Sequence, residues 1–294
     1  MKKLLIPVDF SETSDAAVHF GLQLAEKCGY QVMLHHSVDL VHTYENMYLD
    51  VPHVQTFAQR VIDEMEVKLK NLLWQSKRDG LHVSKLLTTG TLIQDLKTIV
   101  EEQGVDLIVM GTKGASGLQE FFVGSNTEKV VRLVNCPVIS VPCQTNMRAI
   151  RKVLVPIDLT EIRPSFLSEI GHLQWLFAAA VEFVWVKTPH DMENVDLVTE
   201  EVNNLLSDYE VASSSFSVIK DVFAQDGILK YAELIEADMI AMATHARRGF
   251  AHWFAGSLTE DVVNHSRIPL WSLKIDEKEK TINLETYQNL HLPN

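Results

Sequence analysis

Residues 2–12 read KKLLIPVDFSE and residues 151–161 read RKVLVPIDLTE, so one pattern occurs twice at an offset of 149. In both places a run of leucine, isoleucine and valine ends at Pro-Val-Asp or Pro-Ile-Asp, which indicates a buried strand that leads into a helix. A second repeat relates residues 106–141 to residues 238–273, with 14 of 36 positions identical at an offset of 132. The chain is therefore predicted to be a duplication whose second copy is 17 residues shorter.

Within the first copy, short apolar runs alternate with longer helical patterns, which is typical of βαβ units and a parallel sheet. The predicted strands are Lys3–Val8, Gln31–Ser37, Lys85–Thr89, Leu107–Met110 and Val138–Val141. The predicted helices are Ser14–Cys28, Val54–Asp79, Leu92–Gln103 and Thr127–Val134, and the glycines placed at helix C-caps are Gly29, Gly80 and Gly104. An extra flap at residues 39–57 accounts for the greater length of this copy. The sequence thus predicts two tandem five-stranded α/β domains at residues 1–146 and 147–276, followed by a polar tail at 277–294.

The composition narrows the class of protein. The chain has 294 residues, 46% of them apolar, and its 39 acidic and 26 basic residues give a formal net charge of −13. This excludes disordered and collagen-like chains, and a negative surface argues against nucleic-acid and membrane partners. The three cysteines have no C-x-x-C spacing, and no apolar run is long enough for a membrane span or a signal peptide. We therefore expect a cytoplasmic protein without disulfides.

A glycine-rich loop follows the fourth predicted strand, in GTKGASGLQEFFVGSNTEK at residues 111–129. In an open parallel sheet, ligands bind beyond the carboxyl ends of the strands, where the strand order reverses. Glycines let backbone N–H groups approach an anion, and Gly124-Ser125-Asn126 begins a helix whose N-terminus favours negative charge. Asp9 ends the first strand at the same edge. The pattern predicts a nucleotide site, with phosphates on the loop and Asp9 at the base or ribose.

The spacing matches neither the G-x-G-x-x-G fingerprint nor the P-loop. The pattern G-x2-G-x9-G-[ST], with PVDFSE at the start and a strand that ends LHHSV, resembles the universal stress protein family, and the duplication resembles its tandem members. The resemblance implies Rossmann-like domains of the adenine nucleotide alpha hydrolase type, and ATP, with Mg²⁺, as the ligand of members that have this loop. The residues it assigns to ATP are Pro7, Val8, Asp9, Val38, Met110, Gly111, Gly114, Gly124, Ser125 and Asn126. We add Lys113 for its position in the loop.

The second copy departs from this pattern. At the offset of 132, Gly111 becomes Ala243 and Gly114 becomes Ala246, whereas Gly256-Ser257 is kept, as is Asp158 at the end of the first strand of this copy. Each alanine adds a Cβ where the family brings backbone against phosphate, and costs about 1 kcal/mol in any left-handed conformation. We expect ATP to bind mainly in the first copy. The loop of the second copy is cationic, so binding of a smaller anion there stays open.

Simpler structural roles stay open for several of these residues. The glycines also suit a plain turn without ligand, and Asp9 also suits a helix cap, although Ser11 is the stronger N-cap candidate and leaves Asp9 available. His35 and His36 point to opposite faces of one strand, so they cannot bind one metal ion together. Helix capping is the simpler role for Ser125 and Thr127, which otherwise suit phosphorylation.

Three functions remain open. The first is an ATP-binding stress module that acts through nucleotide-dependent conformation or partner choice. The second is a nucleotide-free scaffold, in which the last strands, Val138–Val141 and Pro269–Leu273, pair the two copies within the chain or pair two chains as a homodimer. The third is an ATPase or a nucleotidyl transferase. No dedicated catalytic arrangement is visible, so any ATP hydrolysis or autophosphorylation is expected to be slow.

Overall fold

The computed structural model describes residues 1–40, 51–112, 125–142, 145–209, 211, 213–244, 258, 262, 266–275 and 278–282. The chain divides into two units, Met1–Met147 and Arg148–Asn294. Each unit is built from parallel strands alternating with helices, as the duplication predicts. None of the helices in the described ranges is long and apolar enough to cross a lipid bilayer.

The first unit contains a five-stranded sheet in the order β3-β2-β1-β4-β5, and all its strand pairs are parallel. Its strands are β1 (Lys3–Pro7), β2 (Gln31–Val38), β3 (Val83–Thr89), β4 (Leu107–Gly111) and β5 (Val138–Val141). Its helices are α1 (Glu12–Cys28), α2 (Val51–Ser76), α3 (Leu92–Gln103) and α4 (Ser125–Leu133). β1, β4 and β5 are mostly apolar and are buried along nearly their whole length, as expected for central strands of a parallel sheet that is covered by helices.

Local signals set the ends of α1 as predicted. The Ser11 side chain accepts a hydrogen bond from the Ser14 N–H at the N-terminus, and Gly29 ends the helix with a φ of 72°. Gly104 ends α3 in the same left-handed conformation. Both glycine caps are therefore confirmed, since an L-residue with a side chain is strained at such an angle.

The predicted end of α2 is wrong. The helix ends at Ser76 instead of Asp79, and Gly80, with a φ of 79°, lies in the turn beyond it. The guanidinium of Arg78 donates to the carbonyls of Gln75 and Lys77 at 2.9 and 3.0 Å, so a side chain satisfies helix-end carbonyls there. This local competition ends the helix before the glycine.

The second unit repeats the parallel arrangement, in the order β10-β9-β6-β7-β8. Its described strands are β6 (Lys152–Pro156), β7 (Ala180–Lys187), β8 (Ser214–Lys220), β9 (Met239–Thr244) and β10 (Leu270–Lys274). Its described helices are α5 (Pro164–Phe177), α6 (Val195–Asp208) and α7 (Ala224–Leu234). The start of α5 and its C-cap, Ala178 with a φ of 53°, differ from the first unit.

Candidate functional site

The strand order of the first unit reverses at β1. From β1 the chain runs outward through β2 and β3, and then returns to place β4 and β5 on the other side. The carboxyl ends of β1 and β4 therefore lie side by side at the edge where open α/β sheets bind ligands. Asp9 follows β1 and Gly111 ends β4, so both predicted residues lie at this edge.

Asp9 is exposed and its carboxylate organises the loop in which it lies. Its Oδ1 accepts hydrogen bonds from the backbone N–H of Ser11 at 3.1 Å and from the Ser11 hydroxyl at 2.5 Å. The same hydroxyl oxygen accepts from the Ser14 N–H at 3.3 Å. Ser11 is thus the N-cap, as predicted, but the expectation that this leaves Asp9 available is wrong for Oδ1, because Ser11 occupies it.

Val8 and Pro7 are buried at the end of β1 and are fixed by β2. The Val8 N–H donates to the His35 carbonyl, and His36 Nδ1 lies 2.7 Å from the Val8 carbonyl. A carbonyl only accepts, so His36 Nδ1 carries the proton in this bond. The Phe10 ring lies 4.9 Å from the His36 ring, and Phe10 has a φ of 62°, which is strained for a residue with a side chain. The loop between β1 and α1 is therefore held in one defined conformation.

Gly111 allows the first turn of α1 to lie against the end of β4. A Cβ at this position would lie 2.6 Å from both the carbonyl carbon and the carbonyl oxygen of Thr13. The Thr13 hydroxyl lies 3.1 Å from that of Ser11, so contacts link Gly111 through α1 to the Asp9 loop. The φ of Gly111 is not left-handed, so the described structure explains this glycine by helix packing.

The other predicted loop residues are only partly described. Met110 is buried in the core, and the carbonyl of Gly111 accepts a hydrogen bond from the buried Thr127 hydroxyl at 2.9 Å. This bond ties the first turn of α4 to β4, which favours a structural role for Thr127. Ser125 and the exposed Asn126 begin α4. The remaining predicted residues, Lys113, Gly114 and Gly124, lie outside the described residues, as does the loop that contains Ala246, Gly256 and Ser257.

The edge around α1 is acidic. Glu12 and Asp15 lie in the first turn of the helix, beside Asp9. Burial raises the pKa of Asp15, and the charges of Asp9 and Glu12 raise it further. A helix N-terminus stabilises nearby carboxylates, which offsets part of this repulsion. This part of the edge therefore attracts cations and hydroxyl groups more than bare phosphate.

Val38 ends β2 at the same edge, and its carbonyl accepts from the N–H of Gly90 at 3.1 Å. Beside it lies a buried polar network that the sequence analysis missed. Thr88 Oγ1 lies 2.8 Å from His35 Nε2 and donates to Asp95 Oδ2 at 2.6 Å. Because Thr88 gives its proton to a carboxylate, His35 donates from Nε2 to Thr88.

His35 has no exposed surface, and burial lowers its pKa to about 4, although the charge of Asp95 acts in the opposite direction. Its Nδ1 has no hydrogen-bond partner in the described part of the chain. The hydroxyl of Ser37 also donates to Asp95, which anchors α3 to β2. No group of three or more His, Cys, Asp or Glu side chains within the described ranges is arranged to hold a metal ion. The short G-T-x3-D segment after β3 is the signal that would have indicated Asp95 as a helix anchor.

Comparisons with known proteins agree with this geometry. The universal stress protein MJ0577 of Methanocaldococcus jannaschii is 28% identical over 152 residues, which cover 48% of this chain and 94% of the relative. The universal stress protein Slr1230 of Synechocystis sp. is 21% identical over 303 residues, which cover 93% of this chain and 100% of the relative.

A crystal structure of a universal stress protein from Archaeoglobus fulgidus DSM 4304 matches with a TM-score of 0.71 at 20% identity, and covers 94% of this chain and 97% of that one. At this identity the likeness shows a shared fold. The model of the universal stress protein family matches residues 1–142 and, separately, residues 149–274. With one match in each half, this chain belongs to the universal stress protein family and is a tandem member of it.

Proposed function

We propose that this chain is a stress-response protein that binds one ATP, in its first copy, and acts through nucleotide-dependent conformation or partner choice. The observation that carries the proposal is the contact path from Gly111 through Thr13 and Ser11 to Asp9. This path connects the predicted base end and the predicted phosphate end of a nucleotide site, at the point where the strand order of the sheet reverses. The family resemblance of the glycine loop gives the ligand as ATP.

In this proposal the residues around β1 and β2 bind the base and ribose, and the loop after β4 binds the phosphates. The base and ribose residues are Pro7, Val8, Asp9 and Val38. Met110 and Gly111 line the ribose and the first phosphates, while the remaining phosphate-binding residues are Lys113, Gly114, Gly124, Ser125 and Asn126.

The donor set of the described edge fits a metal-bound nucleotide. An exposed carboxylate at Asp9 is suited to accept hydrogen bonds from ribose hydroxyls. The neighbouring carboxylates of Glu12 and Asp15 repel a bare triphosphate, and bound Mg²⁺ lowers the charge of the polyphosphate. The nine-residue helix α4 presents its N-terminus at the other end of the glycine loop, where it favours the phosphates.

The second copy has a degenerate loop in this proposal and contributes no nucleotide site. Ala243 and Ala246 replace the two glycines, and the polar tail at 277–294 follows the domain. The cytoplasmic location, the pairing of the two copies through their last strands, and association into a homodimer stay predictions.

Nucleotide stoichiometry tests the proposal. The protein is purified without added ligand, any released nucleotide is identified by chromatography, and the emptied protein is titrated with Mg-ATP by calorimetry. We expect about one ATP per chain, because only the first copy keeps both glycines. Two per chain would contradict the assignment of the second copy, and none at millimolar ATP would favour the nucleotide-free scaffold.

The chain offers a matched pair of variants for this titration. Gly124→Asp places a carboxylate beside the proposed phosphates, and we expect ATP affinity to fall by at least about a hundredfold while the far-UV circular dichroism is unchanged. Gly256→Asp makes the same change at the corresponding position of the second copy, and we expect unchanged ATP affinity. Retained affinity in Gly124→Asp would show that the glycine loop is not the phosphate site.

A further inference from the structure

Described residues at the start of the C-terminal tail contact the carboxyl edge of the second sheet. The Ile275 N–H donates to the carbonyl of Thr244, the last residue of β9, at 3.1 Å. Further along, the Ile282 N–H donates to the carbonyl of Ile162 at 2.8 Å, in the loop that follows β6. Since β6 and β9 are neighbours, both contacts lie at this edge of the sheet. The corresponding edge of the first unit is the one assigned to nucleotide.

Glu279 of the tail caps the N-terminus of α5. Its Oε1 accepts from the Ser165 N–H at 2.9 Å, its Oε2 accepts from the Ser165 hydroxyl, and its carbonyl accepts from Arg163 Nη1. The N-cap residue of this helix, Arg163, makes no side-chain cap bond of its own. The N-terminus of α5 is therefore capped by a carboxylate that lies 114 positions away in sequence, whereas Ser11 caps α1 locally.

Arg163 provides a second, buried contact with the tail. The residue is 8% exposed, and its Nη2 donates to Glu161 at 2.8 Å. Its Nε is buried and has no hydrogen-bond partner among the described residues. The buried guanidinium therefore pairs with the carboxylate of Glu161 and holds the tail through the main-chain carbonyl of Glu279.

The second copy has lost the part of the helix that fills this space in the first. At the offset of 149, α1 and α5 end at corresponding residues, Cys28 and Phe177, but α5 begins three positions later than α1. Pro164 begins α5, and a residue that precedes proline avoids helical geometry. In the first copy, a Cβ at Gly111 would clash with the backbone of the first turn of α1. The corresponding turn is absent in the second copy, which is consistent with an alanine, Ala243, at the equivalent position. The tail contacts the chain where that turn is missing.

We propose that the N-terminus of α5 is a binding site for the chain's own tail, in which Ser165 binds the carboxylate of Glu279 and Arg163 binds its main-chain carbonyl. In the second copy, a segment of the same chain therefore binds at the edge that corresponds to the proposed nucleotide site of the first copy. An acidic peptide with the tail sequence competes for the site. This inference concerns the second copy alone and does not depend on ATP binding in the first.

Hydrogen exchange in the full chain tests the contact directly. In Glu279→Gln the charge on the cap is lost, and we expect the Ser165 amide to exchange about tenfold faster than in the parent protein. Glu233→Gln, on the exposed surface of α7, removes the same charge and should leave the Ser165 amide unchanged. An unaltered Ser165 exchange rate in Glu279→Gln would overturn the proposal.

A second measurement supplies the tail in trans. The chain ending at Ile275 is titrated with a fluorescent peptide of residues 276–294, and we expect saturable binding that the peptide with Glu279→Gln loses by about tenfold or more. Equal affinity of the two peptides would overturn the assignment of Glu279 as the ligand group. If the shortened chain does not fold, the exchange rates in the full chain decide.

Discussion

Replacing Gly111 with alanine tests whether this glycine is required for helix packing. The new Cβ would lie 2.6 Å from the carbonyl carbon and oxygen of Thr13 and 2.9 Å from its Cβ. Real Cβ atoms essentially never approach heavy atoms closer than 3.0 Å, and backbone cannot rotate away as a side-chain tip can. The first turn of α1 must move by several tenths of an ångström, and it carries the Asp9 loop with it.

The expected cost combines two opposing effects. Overpacking of this kind destabilises a protein by about 1–3 kcal/mol. Alanine also restricts the unfolded chain, which stabilises the folded state by about 0.4–1 kcal/mol. We therefore expect Gly111→Ala to lower the free energy of unfolding of the first unit by about 1–2 kcal/mol, and to weaken ATP binding at the proposed site.

Urea unfolding measures this effect, and Gly171→Ala is the control. An added Cβ at Gly171, inside α5, has no neighbour within 4 Å, so alanine there should stabilise the second unit by up to about 1 kcal/mol. The two variants should thus shift stability in opposite directions. A Gly111→Ala protein whose free energy of unfolding lies within about 0.5 kcal/mol of the parent would refute the packing argument.

Two further predictions concern stability. Burial lowers the pKa of His35 to about 4 in the folded protein, from an ordinary value of 6.5. Its neutral form therefore contributes stability that is complete above pH 6.5 and is lost as pH falls towards 4. Urea unfolding at several pH values should show that the parent loses up to about 3 kcal/mol more over this range than His35→Gln, and equal losses would contradict the role of His35. Ala178, with a φ of 53°, is the counterpart of Gly29, with a φ of 72°. Ala178→Gly should raise the thermal midpoint and Gly29→Ala should lower it, each by the equivalent of about 1 kcal/mol, and the same sign for both would exclude strain at these caps.

Much of the fold follows from short-range signals that can be recognised in the sequence. Apolar runs predicted the five strands of the first copy, and the predicted caps at Ser11 and Gly29 are confirmed because a cap depends only on residues within one turn. The end of α2 was misplaced because Arg78 competes for carbonyls through its side chain, which apolar periodicity does not reveal.

Two other missed features depend on partners that are distant in sequence. His35 meets Thr88 across a separation of 53 residues, so the strand pattern around His35 predicts only which face it occupies. The clash that excludes a Cβ at Gly111 comes from Thr13, on another element. Contact of Gly111 with ribose and phosphate stays a prediction, and the structure adds a packing reason for a glycine at this position.

The capping of α5 by Glu279 also sets an order of events during synthesis. Ser11, which caps α1, is already present when that helix emerges from the ribosome. Glu279, which caps α5 at Ser165, is synthesised 114 residues after Ser165. At about 5–20 residues per second, that delay is roughly 6 to 23 s. Throughout this interval the sequence of the first copy is complete, whereas the N-terminus of α5 lacks the carboxylate that accepts its hydrogen bond. A chain that is released early therefore contains a complete first domain and an uncapped second one.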